Sequence, residues 1–254
     1  MDWLKGKTGW FLLFFTVLIV LSALFNQQIF GLINGHSSSV IDTVMFYITQ
    51  LGDGYTATLL CLWLALRFPR AGIAGMMALL VGMILVQPLK SLFDMPRPAS
   101  VFDHVHIVGQ ILRHKSFPSG HSASVMSVAI VFTAVSKPLL RWIILVAAFL
   151  TGLSRIYIGV HFPVDVAVGL SLGWAAVMIS LMVMDFTGLV GAKLESNVSR
   201  TILASLLLVG GIGCLFWYNV EGDLFFYRSI GLVFSLIALV HLVSIRRAAQ
   251  FSRT

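Results

Sequence analysis

Three short stretches carry side chains whose types and spacing suit phosphate chemistry. Lys90 stands seven positions before Arg97-Pro98, Pro118-Ser119-Gly120-His121 forms a compact run, and Ser154-Arg155 leads on to His161 and Asp165. Cleaving a phosphate ester spreads negative charge over the equatorial oxygens, so such a site needs several fixed donors. Lys90, Arg97 and Arg155 can supply them, and an arginine's planar fork matches phosphate oxygens. His161 and Asp165 are four apart. At that spacing the carboxylate can hold one imidazole nitrogen and leave the other free to attack phosphorus. His121 can then protonate the departing oxygen. Ser119 and Gly120 precede an apolar run. A helix beginning there points free N–H groups at an anion, and Gly120 lets backbone come close to it.

Each residue also has a plainer reading. Lys90 ends an apolar run, where a lysine snorkels to the interface. Asp165 follows Pro163 and compensates a helix dipole in the first turn. The Pro118–His121 run reads as an ordinary capping segment with an incidental histidine. What weighs against these readings is the company: a cation, an imidazole and a carboxylate between Ser154 and Asp165, at the junction of two apolar runs, where charge is costly unless it has a function.

The elements that must position these groups are membrane helices. The chain has 254 residues, 58% hydrophobic and 11% charged, against about 25% charged in soluble domains, and its mean hydropathy is +0.95. A spanning helix needs ~20 mostly apolar residues. On that rule spans are expected near Trp10–Phe25, Tyr55–Phe68, Gly72–Leu89, Gly120–Val135, Trp142–Val160, Val164–Met184, Thr201–Trp217 and Ile230–Ile245. The polar segment 91–117 is the longest connection between spans. Residues 39–51 show apolar residues on one face, Val40, Ile41, Val44, Met45, Ile48 and Leu51, which predicts a short interfacial helix with Ser39 as its N-cap. Pro96 and Pro98 favour extended backbone at Arg97. Lys5 and Lys7 before an apolar run imitate a signal peptide. No small-residue cleavage site follows, so an uncleaved first span is expected.

Eight spans place both termini on one side. Eleven of the seventeen Lys and Arg residues fall there: Lys5, Lys7, Arg67, Arg70, Lys137, Arg141, Lys193, Arg200, Arg246, Arg247 and Arg253. The positive-inside rule makes that side cytoplasmic. Lys90, Arg97, Arg113, Lys115, Arg155 and Arg228 lie on the other, and five of these six belong to or adjoin the three phosphate-suited stretches. The net charge of +7 is then a matter of topology and of an anionic ligand, not of nucleic-acid binding. Cys61 and Cys214 lie inside apolar runs and form no disulfide or metal framework. His104-x-His106 suggests a metal pair, but with only Asp103 beside it the reading is of solvated loop histidines, as for His36, His114 and His241. Asp94 and Asp103 read as loop residues. Arg113-His114-Lys115 forms a basic rim suited to a multiply charged headgroup. Trp217-Tyr218 and Phe225-Phe226-Tyr227 read as interfacial aromatic belts.

Lys90-x(6)-Arg97-Pro98, Pro118-Ser119-Gly120-His121 and Ser154-Arg155-x(5)-His161-x(3)-Asp165 together resemble the three-part signature of the type-2 phosphatidic acid phosphatases, in order and spacing, over roughly residues 40–184. The resemblance implies an all-α, polytopic membrane bundle. A six-helix phosphatase core (residues 1–184) would be followed by two extra C-terminal transmembrane helices (185–254). It also implies a phosphohistidine mechanism without metal or cofactor, at the outer face of a bacterial inner membrane. By it, His161 is the nucleophile, Asp165 its partner and His121 the general acid, while Lys90, Arg97, Ser119, Gly120 and Arg155 bind phosphate. The partners expected are membrane lipids and a lipid phosphate substrate. Undecaprenyl diphosphate is favoured, and phosphatidylglycerophosphate, phosphatidic acid and lipid A phosphate stay open. A phosphotransferase using the same intermediate is a second class, and a non-enzymatic lipid-binding protein a third.

Overall fold

A computed structural model describes residues 6–188, 196–216 and 224–251. Lys5, Lys193, Trp217, Tyr218 and Arg253, to which the sequence reading gave a place, lie outside the described residues. The regular elements among the described residues are all helical: α1 (Thr8–Leu24), α2 (Asn26–Asn34), α3 (Ser39–Thr49), a 3-10 turn (Gln50–Gly52), α4 (Gly54–Arg67), α5 (Pro69–Phe93), α6 (Pro98–Val101), α7 (Gly120–Val135), α8 (Pro138–Tyr157), α9 (Pro163–Thr187), α10 (Asn197–Phe216) and α11 (Leu224–Phe251). The protein is an all-α membrane bundle, as expected.

Local chemistry sets the boundaries. Asp53 caps α4, its Oδ2 accepting from the backbone N–H of Tyr55 at 2.8 Å and Thr56 at 3.3 Å. Ser119 caps α7 by accepting from Ser122 N. Proline opens α5, α8 and α9, where its missing N–H costs nothing. The interfacial helix α3 forms as predicted, but its cap is Ser38, not Ser39; the Ser38 hydroxyl accepts from Ile41 N at 3.3 Å. Val40, Ile41 and Val44 on α3 are exposed, which suits a helix lying in an apolar boundary.

Helix lengths differ from the expected spans. Five helices are long and apolar enough to cross a membrane: the one that begins at Pro69, then α8, α9, α10 and α11. The first expected span is a pair, because α1 and α2 are bent by 83° at Phe25. The polar Asn26-Gln27-Gln28 hid α2 in the sequence. Its Phe30 is buried and packs against Phe102 and Phe162. Helices α4 and α7 have 14 and 16 residues, or about 21 and 24 Å of rise, short of the ~30 Å hydrocarbon core. Both are trimmed by their caps and enclosed by neighbours: α7 packs on α5, α8 and α9, and α4 on α5 and α10.

The eight longer helices run alternately between two ends of the bundle. At one end Lys7 and Arg141 border a single cavity, Arg67 and Arg200 another, and Arg70 pairs with Asp185. At the other end lie Lys90, Arg97 and Arg155. The main core joins α5, α7, α8 and α9 through residues such as Met126, Ile130, Leu170 and Val177. Helices α7 and α9 approach closely: a Cβ on Gly173 would sit 2.2 Å from the Ala123 carbonyl oxygen, and one on Gly169 2.4 Å from that of Ser119. A second apolar cluster, including Leu59, Leu62, Leu203, Leu207 and Phe234, seats α10 and α11 against α4.

Candidate active site

All eight side chains and backbone positions singled out in the sequence meet at one end of the bundle. Helix α5 runs on past Pro88 and carries Lys90 in its last turn. Asp94 stops it in a left-handed conformation, and the chain then extends through Arg97, whose φ of −88° and ψ of 164° match the expectation drawn from its flanking prolines. Arg155 lies in the last turn of α8, Ser119 and Gly120 at the start of α7, and Asp165 at the third position of α9. Gly159, at a φ of +77°, turns the chain between α8 and α9 and aims His161 back into the bundle. A side chain at Gly159 would also strike the His106 carbonyl oxygen.

His161 and Asp165 are almost wholly buried, at 2% and 1% exposure. Asp165 Oδ2 faces His161 Nδ1 at 3.4 Å and accepts from Ser116 Oγ at 2.6 Å and Phe162 N at 2.9 Å. On the other side of the ring Arg97 Nη1 donates to His161 Nε2 at 3.4 Å. A guanidinium has no lone pair to offer. These contacts therefore assign the proton to Nδ1 and the lone pair to Nε2. Burial first, and then the charges of Arg155, Arg97 and Lys90, hold His161 well below the ordinary histidine value. The ring is neutral at physiological pH, with Nε2 available as a nucleophile.

The cations are held by groups the motifs did not include. Lys90 Nζ donates to the Lys115 carbonyl at 2.8 Å. Arg97 donates to the carbonyls of His114 at 2.8 Å, Val160 at 2.9 Å and Lys115 at 3.3 Å. The backbone of residues 114–116 thus sets both side chains. Arg155 Nη1 donates to Thr49 Oγ1 at 2.9 Å, while its buried Nε has no partner among the described residues. Buried donors are normally paired, so this one points to a ligand. Three cations face two carboxylates, Asp165 beside Lys90 and Arg97 and Asp53 near Arg155, which leaves a net positive charge for an anion. His121 lies within electrostatic reach of Arg155, His161, Arg97 and Lys90.

Sequence reasoning missed Ser116 and Thr49. Neither has a motif; each matters only through a partner 49 or 106 residues away. His106 is also not the solvated loop residue expected. It is half-buried, its Nε2 lies 2.8 Å from Asp42 Oδ1, and its ring meets Tyr157 edge-on. His104 is exposed, and no three His, Cys, Asp or Glu residues gather as a metal site among the described residues. Tyr227, read as part of an aromatic belt, is buried, whereas Phe225 is exposed.

Beside His121 a cavity of about 460 Å³ runs down between α4, α5 and α7. It is lined by Thr58, Gly82, Val86, Gly120, His121 and Ser124 among others. Its walls are mostly apolar and small, so an apolar chain fits there with a polar head beside His121.

Comparison with known proteins supports the same reading. The sequence model of the PAP2 superfamily matches residues 71–188, the part of the chain that carries all eight positions singled out in the sequence. "Undecaprenyl-diphosphatase BcrC" of Bacillus subtilis is 29% identical over 188 residues, 69% of this chain and 94% of that protein. "Lipid A 1-phosphatase" of Rhizobium etli is 31% identical over 108 residues, 39% of this chain and 44% of that protein. The crystal structure of Aquifex aeolicus LpxE superposes with a TM-score of 0.59 at 34% identity, covering 62% of this chain and 95% of that one.

Proposed function

The chain belongs to the PAP2 superfamily, and from that premise we propose that this membrane lipid phosphatase hydrolyses undecaprenyl diphosphate at the outer face of a bacterial inner membrane. The carrying observation is His161, buried and neutral between Asp165 and Arg97, with its Nε2 lone pair turned toward the cations. In the first step Nε2 bonds to the terminal phosphorus while the bridging oxygen leaves with undecaprenyl phosphate. The charge of the bound diphosphate favours the protonated form of His121, which donates the proton that oxygen needs. Arg97, Arg155 and Lys90 stabilise the charge on the transferring phosphoryl oxygens. In the second step water adds to the phosphohistidine, His121 takes a proton from it, the N–P bond breaks and inorganic phosphate departs. Asp165, held by Ser116 and Phe162 N, keeps Nδ1 protonated throughout.

Two features support a diphosphate with a long tail. The exposed Arg113 and Lys115 put positive charge beside the backbone that holds Lys90 and Arg97, and the apolar cavity beside His121 takes the start of the tail. Lipid A 1-phosphate is the second reading, favoured by the match to the Rhizobium etli enzyme. Purified protein in detergent, with EDTA present, is to be offered undecaprenyl diphosphate, lipid A, phosphatidylglycerophosphate and phosphatidic acid in parallel. The expected outcome is phosphate release, fastest from undecaprenyl diphosphate, and absent from His161→Ala protein that still folds. Faster release from lipid A transfers the assignment to that substrate. Release that survives His161→Ala removes the nucleophile, and loss of activity in EDTA reopens metal chemistry.

A further inference from the structure

The α10–α11 pair lies beyond the six-helix core and supplies none of the groups that hold phosphate. It nevertheless reaches the site. Helix α11 begins beside the 3-10 turn Gln50–Gly52, and there the buried Tyr227 hydroxyl donates to Gln50 Oε1 at 3.2 Å. Gln50 is itself buried, at 9% exposure, and its chain neighbour Thr49 accepts from Arg155 Nη1 at 2.9 Å. At the far end of the same turn Gly52 touches the first turn of α7: a Cβ there would lie 2.7 Å from the His121 carbonyl oxygen. Asp53, which closes the turn by capping α4, is a second hydrogen-bond partner of the Tyr227 hydroxyl and lies within electrostatic reach of Arg155. One short turn therefore abuts Arg155 through Thr49, His121 through Gly52 and α11 through Gln50.

We propose that Tyr227 is a positioning residue for the phosphate site, holding the Gln50 turn so that Thr49 sets the Arg155 guanidinium. The reasoning is steric as well as polar. Thr49 is the one acceptor that Arg155 uses among the described residues, and the adjacent Nε is left for a ligand. A guanidinium held at a single point rotates about it unless the acceptor's own backbone is fixed. Thr49 ends α3, which packs on α8, and the turn that follows it is only three residues long, so the Tyr227 contact at Gln50 is what holds the chain just after Thr49. Phe226, beside Tyr227, packs against Tyr47 on α3 and closes the same junction. The extra helices thus stiffen the Arg155 side of the site, where the equatorial oxygens of a transferring phosphoryl group need a preorganised donor.

This inference rests on the phosphatase reading, and the test separates the two. The full-length protein and its Tyr227→Phe variant are compared by phosphate release and by the affinity for orthovanadate, read from the thermal shift it causes. Vanadate mimics the five-coordinate phosphoryl group and reports on Arg155 without turnover. The hydroxyl is all that changes, so the vanadate affinity and kcat are expected to fall together by roughly fivefold, one hydrogen bond's worth, with KM for the lipid and the ligand-free Tm unchanged. Gln50→Leu, which removes one acceptor without touching α11 and leaves Asp53 in place, should lower both quantities in the same direction by a smaller factor. Combining Tyr227→Phe with Thr49→Val should cost no more than Thr49→Val alone, because both act through Arg155. A Tyr227→Phe protein with wild-type vanadate affinity and kcat overturns the proposal, as does a purely additive double variant. A fall in Tm with kcat intact also overturns it, since Tyr227 would then be structural only. If the unaltered protein neither releases phosphate nor binds vanadate, the phosphatase reading fails and takes this inference with it.

Discussion

In the proposed mechanism His161 is the residue on which the chemistry turns, and its environment leads to two expectations. Its neutral form is favoured in the folded protein, so its proton affinity lies below the ordinary value of 6.5. The acidic limb of the kcat/KM profile is therefore expected below pH 6.5, because the free ring must be unprotonated to attack. The sign for stability follows. Above pH 6.5 the ring is neutral folded or unfolded and contributes no pH dependence. As pH falls below that value the unfolded chain takes up a proton that the folded site resists, and stability declines. A pH–rate profile with an acidic limb above 7, moved by His161 and no other group, sinks this account. Arg155→Lys is expected to cut kcat by ~100-fold, the scale of losing one transition-state donor, because an ammonium cannot both hold Thr49 and present a second fixed donor. A rate within a few fold of wild type would make Arg155 structural.

At the scale of elements, the site is made by helix ends. α5 and α8 finish there, α7 and α9 begin there, and four termini bring the three motifs together. The pairing of α7 with α9 allows no side chain at Gly169 or Gly173. On α5, by contrast, a Cβ at Gly82 would meet nothing within 4 Å, and Gly82 lines the cavity beside His121. Gly82→Leu should therefore fold at least as well as the parent, since leucine is the better helix former, while its side chain fills the place of the lipid tail. Roughly tenfold lower kcat/KM is expected for a long-chain lipid phosphate, what a clash of about 1–3 kcal/mol brings. A short-chain soluble ester should be cleaved as before. Equal losses on both substrates would show that the tail lies elsewhere.

The whole molecule is a charge-sorted bundle. Apart from the active-site cluster, its rim and Arg228, the described basic residues gather at the far end, where Arg70 pairs with Asp185 and Lys7 and Arg141 border one cavity with Trp10 and Trp142. Under the proposed orientation, that end is cytoplasmic and the site faces outward. Both native cysteines are buried, Cys61 at 0% and Cys214 at 1% exposure, so single added cysteines can be read against a silent background. In intact cells Arg113→Cys is expected to react with a membrane-impermeant maleimide. Arg141→Cys is expected to react only after permeabilisation. The reverse pattern inverts the molecule and removes the periplasmic assignment.

Much of this was legible in the sequence, because hydropathy and motif spacing are one-dimensional signals. Long apolar runs can bury their backbone only as helices in lipid, and a cation, histidine or carboxylate at their ends is too costly to be incidental. The eight positions singled out that way come together in the fold. The sequence did not show α2, whose polar first turn hides a helix anchored by Phe30. Nor could it assign Thr49 to Arg155 or Ser116 to Asp165, because serine and threonine carry no signal until a distant chain segment brings them a charged partner. The tautomer of His161 and the buried contact of Tyr227 with Gln50 likewise depend on atoms placed by packing. Local composition determines which groups are present and which helices carry them; only the close approach of those helices decides which groups touch.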